Sequence, residues 1–134
     1  MKIVRKTIGQ MLGEIAGRFP NQDALIHPGV GIRYNYSLFL WEVDRVARGL
    51  MSMGIGKGDP VALWAPNIPE WLVAQMALAK IGAIFIPVDP GIGEDELFFI
   101  LRQSESKAII MARGLEDEEY VDMIYAVKED TSSL

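Results

Sequence analysis

Any chemistry in this 134-residue chain has to come from a short set of side chains. There is no cysteine, which leaves no material for a thiol nucleophile or a Cys-ligated zinc, and the single histidine, His27, argues against a His-based metal centre or a Ser-His-Asp triad. His27 stands before Pro28-Gly29, far in sequence from any nucleophile, and reads as an exposed loop histidine. The run Gly54-Ile55-Gly56-Lys57-Gly58 has the composition of a phosphate cradle, but it precedes a predicted strand. Dinucleotide and Walker loops instead lie between a strand and the helix it feeds. Gly58 also stands where a Walker loop needs Ser or Thr, and Met51 where it needs its first glycine, so the run reads as a turn with Lys57 and Asp59 solvated. Pro66-Asn67 is better placed, at the carboxyl end of a strand and the start of a helix, where α/β folds put ligands. Capping of that helix is the first reading of Asn67, and lining a ligand channel the second. Asp89-Pro90-Gly91 holds the matching place after the next strand, where a carboxylate can meet a metal or a phosphoryl group. The neighbouring strand ends supply no further acids, so no metal site is expected and Asp89 reads as a turn or capping residue.

The elements that must position these residues follow from periodicity. Thr7 with Gln10 fits a capping box, and Ile8, Met11, Leu12, Ile15, Ala16 and Phe19 recur at helical spacing up to Pro20. Residues 24–27 and 32–36 read as a β-hairpin around Pro28-Gly29-Val30-Gly31. Ser37 then caps a helix that turns Leu38, Trp41, Val46, Ala47, Leu50 and Met53 inward and ends at Gly54. Residues 61–65 form an unbroken apolar strand of the kind buried on both faces. A helix to about Lys80, stopped by Gly82, leads to a second strand over 83–88, and a helix over 94–104 leads to a third over 108–111. The three tryptophans and seven methionines fall at spacings that suit inward faces. The fold class is therefore α/β: an N-terminal β-hairpin followed by a βαβαβ parallel sheet flanked by helices. The whole reads as one domain over residues 1–134, with an acidic helical tail over 114–134.

Charge and composition narrow the function further. Half of the residues are hydrophobic and 23% charged, as in an ordinary globular domain. Residues 1–113 hold 12 Lys and Arg against 11 Asp and Glu, whereas 114–134 hold one Lys against seven acids, so the net charge of −5 comes from the tail. With no basic stripe, nucleic acid is not an expected partner. No apolar run is long enough for a transmembrane segment, and Met1-Lys2-Ile3-Val4-Arg5 does not open a signal peptide, which fits a cytoplasmic protein.

Beside this reading stands a resemblance carried by an ordered series of motifs. Gly54-Ile55-Gly56-Lys57-Gly58-Asp59-Pro60-Val61-Ala62, Pro66-Asn67-Ile68-Pro69-Glu70-Trp71 and Lys80-Ile81-Gly82-Ala83 resemble the N-terminal pattern of the adenylate-forming acyl-CoA synthetases. The segments Thr7 to Pro20, Arg33-Tyr34-Asn35-Tyr36-Ser37 and Glu96-Leu97 to Lys107 are similar to flanking parts of that pattern, so that the resemblance covers residues 7–112. It implies part of an adenylate-forming ligase fold and a two-step reaction. A carboxylate attacks ATP, with magnesium, to give an acyl-adenylate and pyrophosphate, and the thiol of coenzyme A then displaces AMP.

The family's Ser/Thr/Gly-rich phosphate loop ending in Pro-Lys-Gly, its Tyr-Gly-x-Thr-Glu motif, its ribose-binding Asp and its catalytic Lys have no counterpart in this chain. The resemblance therefore implies an N-terminal fragment, inactive alone, with no catalytic residue and no cofactor of its own; ATP, magnesium and coenzyme A belong to the full-length enzyme. The candidates for lining its substrate channel are Pro66, Asn67, Asp89, Pro90 and Gly91. Expected partners are the remainder of the ligase chain, a carboxylic acid in the full enzyme, and other copies of the fragment through its uncovered apolar surface. Asp89-Pro90 stands where many acyl-CoA synthetases have Asn-Pro and is also seen in peptide-synthetase adenylation domains, whereas Pro66-Asn67 favours the coenzyme A branch. Gly91 stands where some members have a basic residue able to meet the coenzyme A nucleotide, so the resemblance does not carry that contact over to this chain. The alternatives are a standalone binding module of the same fold and a fragment of an adenylation domain that loads a carrier protein.

Overall fold

A computed structural model describes residues 3–112, 124–126 and 128 of the chain. Helix α1 (Ile8–Arg18) opens with the expected capping box: the Gln10 N–H donates to Thr7 Oγ1 at 3.2 Å and the Thr7 N–H to Gln10 Oε1 at 2.9 Å. The hairpin strands β1 (Asp23–His27) and β2 (Ile32–Asn35) pair antiparallel around a 3-10 turn, Pro28–Val30, and Arg33 clasps Asp23 across them. That contact holds the Asp23 carboxyl below its ordinary pKa and raises that of the Arg33 guanidinium.

Two expectations fail at helix α2 (Tyr36–Ser52). Its cap is Asn35 and not Ser37, because the Asn35 side chain accepts the Leu38 N–H at 2.8 Å and so ends the strand one residue early. Its buried stripe is Phe39, Val43, Ala47 and Leu50, while Leu38, Trp41 and Met53 are exposed by 41%, 54% and 77%. The sequence offers α2 apolar residues on more than one side, and the stripe at four, four and three residues is the one that meets α1 and the later helix α3. Tryptophan and methionine are thus not uniformly core residues. Trp64 is buried and Trp71 stacks edge-on against Phe85, but Trp41 lies beneath the Arg45 guanidinium at the surface, and Met51 and Met53 are exposed.

A left-handed Gly54 (φ +86°) stops α2 and turns the chain toward the sheet. Strand β3 (Pro60–Trp64) is central, with β4 (Ile84–Val88) and β5 (Ala108–Met111) parallel on either side in the order β4-β3-β5. Alternation along β3 explains its unbroken apolar run. Val61 packs with α1, α2 and helix α3 (Pro69–Ile81), whereas Ala62 and Trp64 pack with Val88 and with Leu97 and Leu101 of helix α4 (Glu94–Ser104). Gly82, at φ +79°, closes α3 as its sequence position requires.

Most of the tail assigned to a helix lies outside the described residues. Positions 124–126 and 128 are helical, and Ile124 packs on the α4 side of the sheet. Among the described residues no helix is long and apolar enough to cross a membrane.

Candidate functional site

Trp64 and Val88 are in register, so the chain leaves β3 and β4 side by side at the carboxyl edge of the sheet. This brings the segments Pro66-Asn67 and Asp89-Pro90-Gly91 out at neighbouring strand ends. They are joined from beneath, because the buried Trp64 donates its indole N–H to the Asp89 carbonyl at 3.1 Å.

Each loop is shaped by its own residues. Asp89 accepts the Gly91 N–H at 2.7 Å in a tight turn, and a Cβ at Gly91 would lie 3.1 Å from that carboxylate oxygen, so a side chain there would crowd the turn. Asp89 is thus a turn residue and not the cap of α4, whose cap position is Gly93. The first turn of α4 carries Glu94, Asp95 and Glu96, which suit the helix dipole but repel an incoming anion.

Asn67 departs from its expected capping role. The cap position of α3 is Ile68, whose side chain makes no capping bond. Pro69 at the first helical position forces Ile68 to be extended (φ −110°, ψ 157°), which leaves Asn67 one residue too early to reach the helix N–H groups. The Ile68 N–H instead closes a short turn on the Pro66 carbonyl at 2.8 Å, and Asn67 is exposed at its apex. Its amide has no hydrogen bond among the described residues, and so faces solvent with its full donor and acceptor capacity.

At the opposite edge, where the strands begin, the glycine-rich loop is already occupied by its own acid. Lys107 donates to Asp59 Oδ2 and to the Gly54 carbonyl, both at 2.8 Å, and the Gly56 N–H donates to the same carboxylate oxygen at 2.8 Å. The Lys107 hydrogen bond first, and the Gly56 N–H second, hold the Asp59 carboxyl below its ordinary pKa against a small desolvation cost. Asp59 is therefore clamped and not merely solvated. Nothing in the local sequence signals Lys107, because it lies 48 residues away and arrives through the pairing of β5 with β3.

His27 also departs from expectation. It ends β1, half-buried, with Nδ1 shielded and without a hydrogen-bond partner, because the turn brings Gly29 back over the ring. Among the described residues no group of three His, Cys, Asp or Glu side chains is arranged to hold a metal ion.

Sequence and fold comparisons agree with this architecture. The profile of the AMP-binding enzyme family matches residues 12–133. YngI of Bacillus subtilis (strain 168) is 42% identical over 123 residues, which are 92% of this chain and 22% of YngI. The mitochondrial medium-chain acyl-CoA ligase ACSF2 of Rattus norvegicus is 37% identical over 125 residues, 93% of this chain and 20% of that protein. The structure of a Mycobacterium tuberculosis fatty acyl CoA synthetase superposes with a TM-score of 0.81 at 32% identity, covering 91% of this chain and 23% of that one. The chain thus spans about a fifth of the length of the curated relatives it matches. With the α/β architecture and the motif series in place, the match over residues 12–133 shows that the chain belongs to the AMP-binding enzyme family.

Proposed function

We propose that this chain is the N-terminal portion of an AMP-forming acid–thiol ligase of the acyl-CoA synthetase type, and that the loops after β3 and β4 form part of the wall of its substrate channel. The observation that carries the reading is 37% identity to a medium-chain acyl-CoA ligase over 93% of this chain but only 20% of that relative. ATP, magnesium and coenzyme A would serve the complete ligase.

The described residues of this chain do not fit a triphosphate with its metal. The one glycine-rich loop spends the Gly56 N–H on Asp59, the first turn of α4 is acidic, and no cluster of metal ligands stands among the described residues. No step of adenylation is therefore assigned to it. Its own contribution is to hold the exposed amide of Asn67 beside the hydrogen-bonded Asp89 turn, on a frame tied together by the Trp64 indole.

The test is ATP–pyrophosphate exchange with a panel of carboxylic acids, using the purified 134-residue chain. No exchange above the enzyme-free blank is expected, and exchange above it would overturn the fragment reading.

A further inference from the structure

The amino edge of the sheet carries a second feature, separate from the proposed channel wall. Between α2, α3 and the loop leading into β3 lies a cleft of about 510 Å³, within the size range of small-molecule sites. Three cations and one anion line it: Arg48, Lys57 and Lys80 against Asp44. Lys80 is ion-paired with Asp44 across the two helices, whereas Arg48 and Lys57 have no hydrogen bond or ion pair among the described residues. Among the described residues, the cleft thus holds two positive charges without a paired acid. Its apolar wall is Ile81 and Met51, the latter 60% exposed on a helix whose buried stripe lies elsewhere.

The frame is well fixed. The Gly58 N–H donates to the Gly82 carbonyl at 2.9 Å, and the stem of Lys57 lies on Gly82, where a Cβ would come within 3.2 Å of Lys57 Cγ. Contact with Gly82 positions the Lys57 stem at the rim of the cleft.

The lining also selects among anions. Among the described residues no aromatic ring lines the cleft for a nucleobase to stack on, and the Gly56 N–H is committed to Asp59. What remains is a guanidinium fork, an ammonium and an adaptable thioether surface. We propose that this cleft binds a small amphipathic anion, with its carboxylate or phosphate head between Arg48 and Lys57 and its aliphatic chain against Met51 and Ile81.

The proposal does not depend on the ligase reading. It is tested by NMR of the chain labelled with ¹³C at the methionine methyl groups, with octanoate, octyl phosphate, octanol and inorganic phosphate added separately, each below its aggregation threshold. The expected result is a saturable shift of the Met51 methyl with octanoate or octyl phosphate and not with octanol or inorganic phosphate; the tighter of the two amphiphiles identifies the head group. Replacing both cations (Arg48→Gln with Lys57→Gln) should weaken that binding about tenfold, the combined effect of two exposed charge contacts. Both residues are exposed, so the variant should fold, and unmoved methyl signals of the half-buried Met11 and Met76 verify this. An equal response to octanol, a shift confined to Met11 and Met76, no saturable shift at Met51, or undiminished binding by the folded double variant would each overturn the proposal.

Discussion

Asp59 shows how one carboxylate can close a loop that looks built for a ligand. Its bonds to Lys107 and to the Gly56 N–H depress its folded-state pKa below the ordinary 3.8. The stabilisation is therefore present above pH 3.8 and lost as the pH falls through the lower folded value. Asp59→Asn is expected to lower the urea midpoint of unfolding at pH 7, and the gap from the parent should close in strong acid; a gap that widens on acidification would contradict the clamp. Interactions of this length are invisible in sequence, whereas the Thr7–Gln10 capping box spans three residues and could be read directly. Asn35 and Asn67 show the limit of local rules. Both are good capping residues, but Asn35 caps α2 in place of the equally suitable Ser37, and Asn67 is kept from capping α3 by the extended residue that Pro69 demands.

At the scale of elements, the approach of α1 to α3 depends on Gly9. A Cβ there would lie 3.0 Å from the Lys80 Cα, a backbone atom that cannot swing aside, whereas a Cβ at Gly13 in the same helix meets nothing within 4 Å. Gly9→Ala should destabilise the chain by about 1–3 kcal/mol through overpacking. Gly13→Ala should be stabilising by up to about 1 kcal/mol through helix propensity. Urea unfolding of the two variants checks this, and equal effects would mean that the helices are not packed so closely. The central strand was legible because an unbroken apolar run between a Gly-rich turn and Pro66 suits a strand covered on both faces, and α4 and β5 were legible from the turn signals that bound them. The inward face of α2 was not, because its apolar residues spread over more than one stripe, so that periodicity alone could not say which stripe would meet α1 and α3.

The whole molecule has two chemically different edges. At the carboxyl ends of the strands stand an exposed amide and a hydrogen-bonded aspartate turn, and at the amino ends stands a cationic cleft. The α/β class and the strand series were legible because both arise from short-range patterning. The family was legible only through resemblance, since a sequence with no Cys and one His offers no local pattern that singles out a reaction. Pro66, Asn67, Asp89, Pro90 and Gly91 could be placed at strand ends from sequence. The Trp64 indole that ties those ends together could not, because it depends on the register of β3 against β4. The central claim is that this chain is one part of a longer ligase. Its most direct test is the intact mass of the native polypeptide, captured from its source cells with an antibody to this segment and measured by top-down mass spectrometry. A chain several times heavier than 14.9 kDa is the expected result, and a native chain of 14.9 kDa would contradict it.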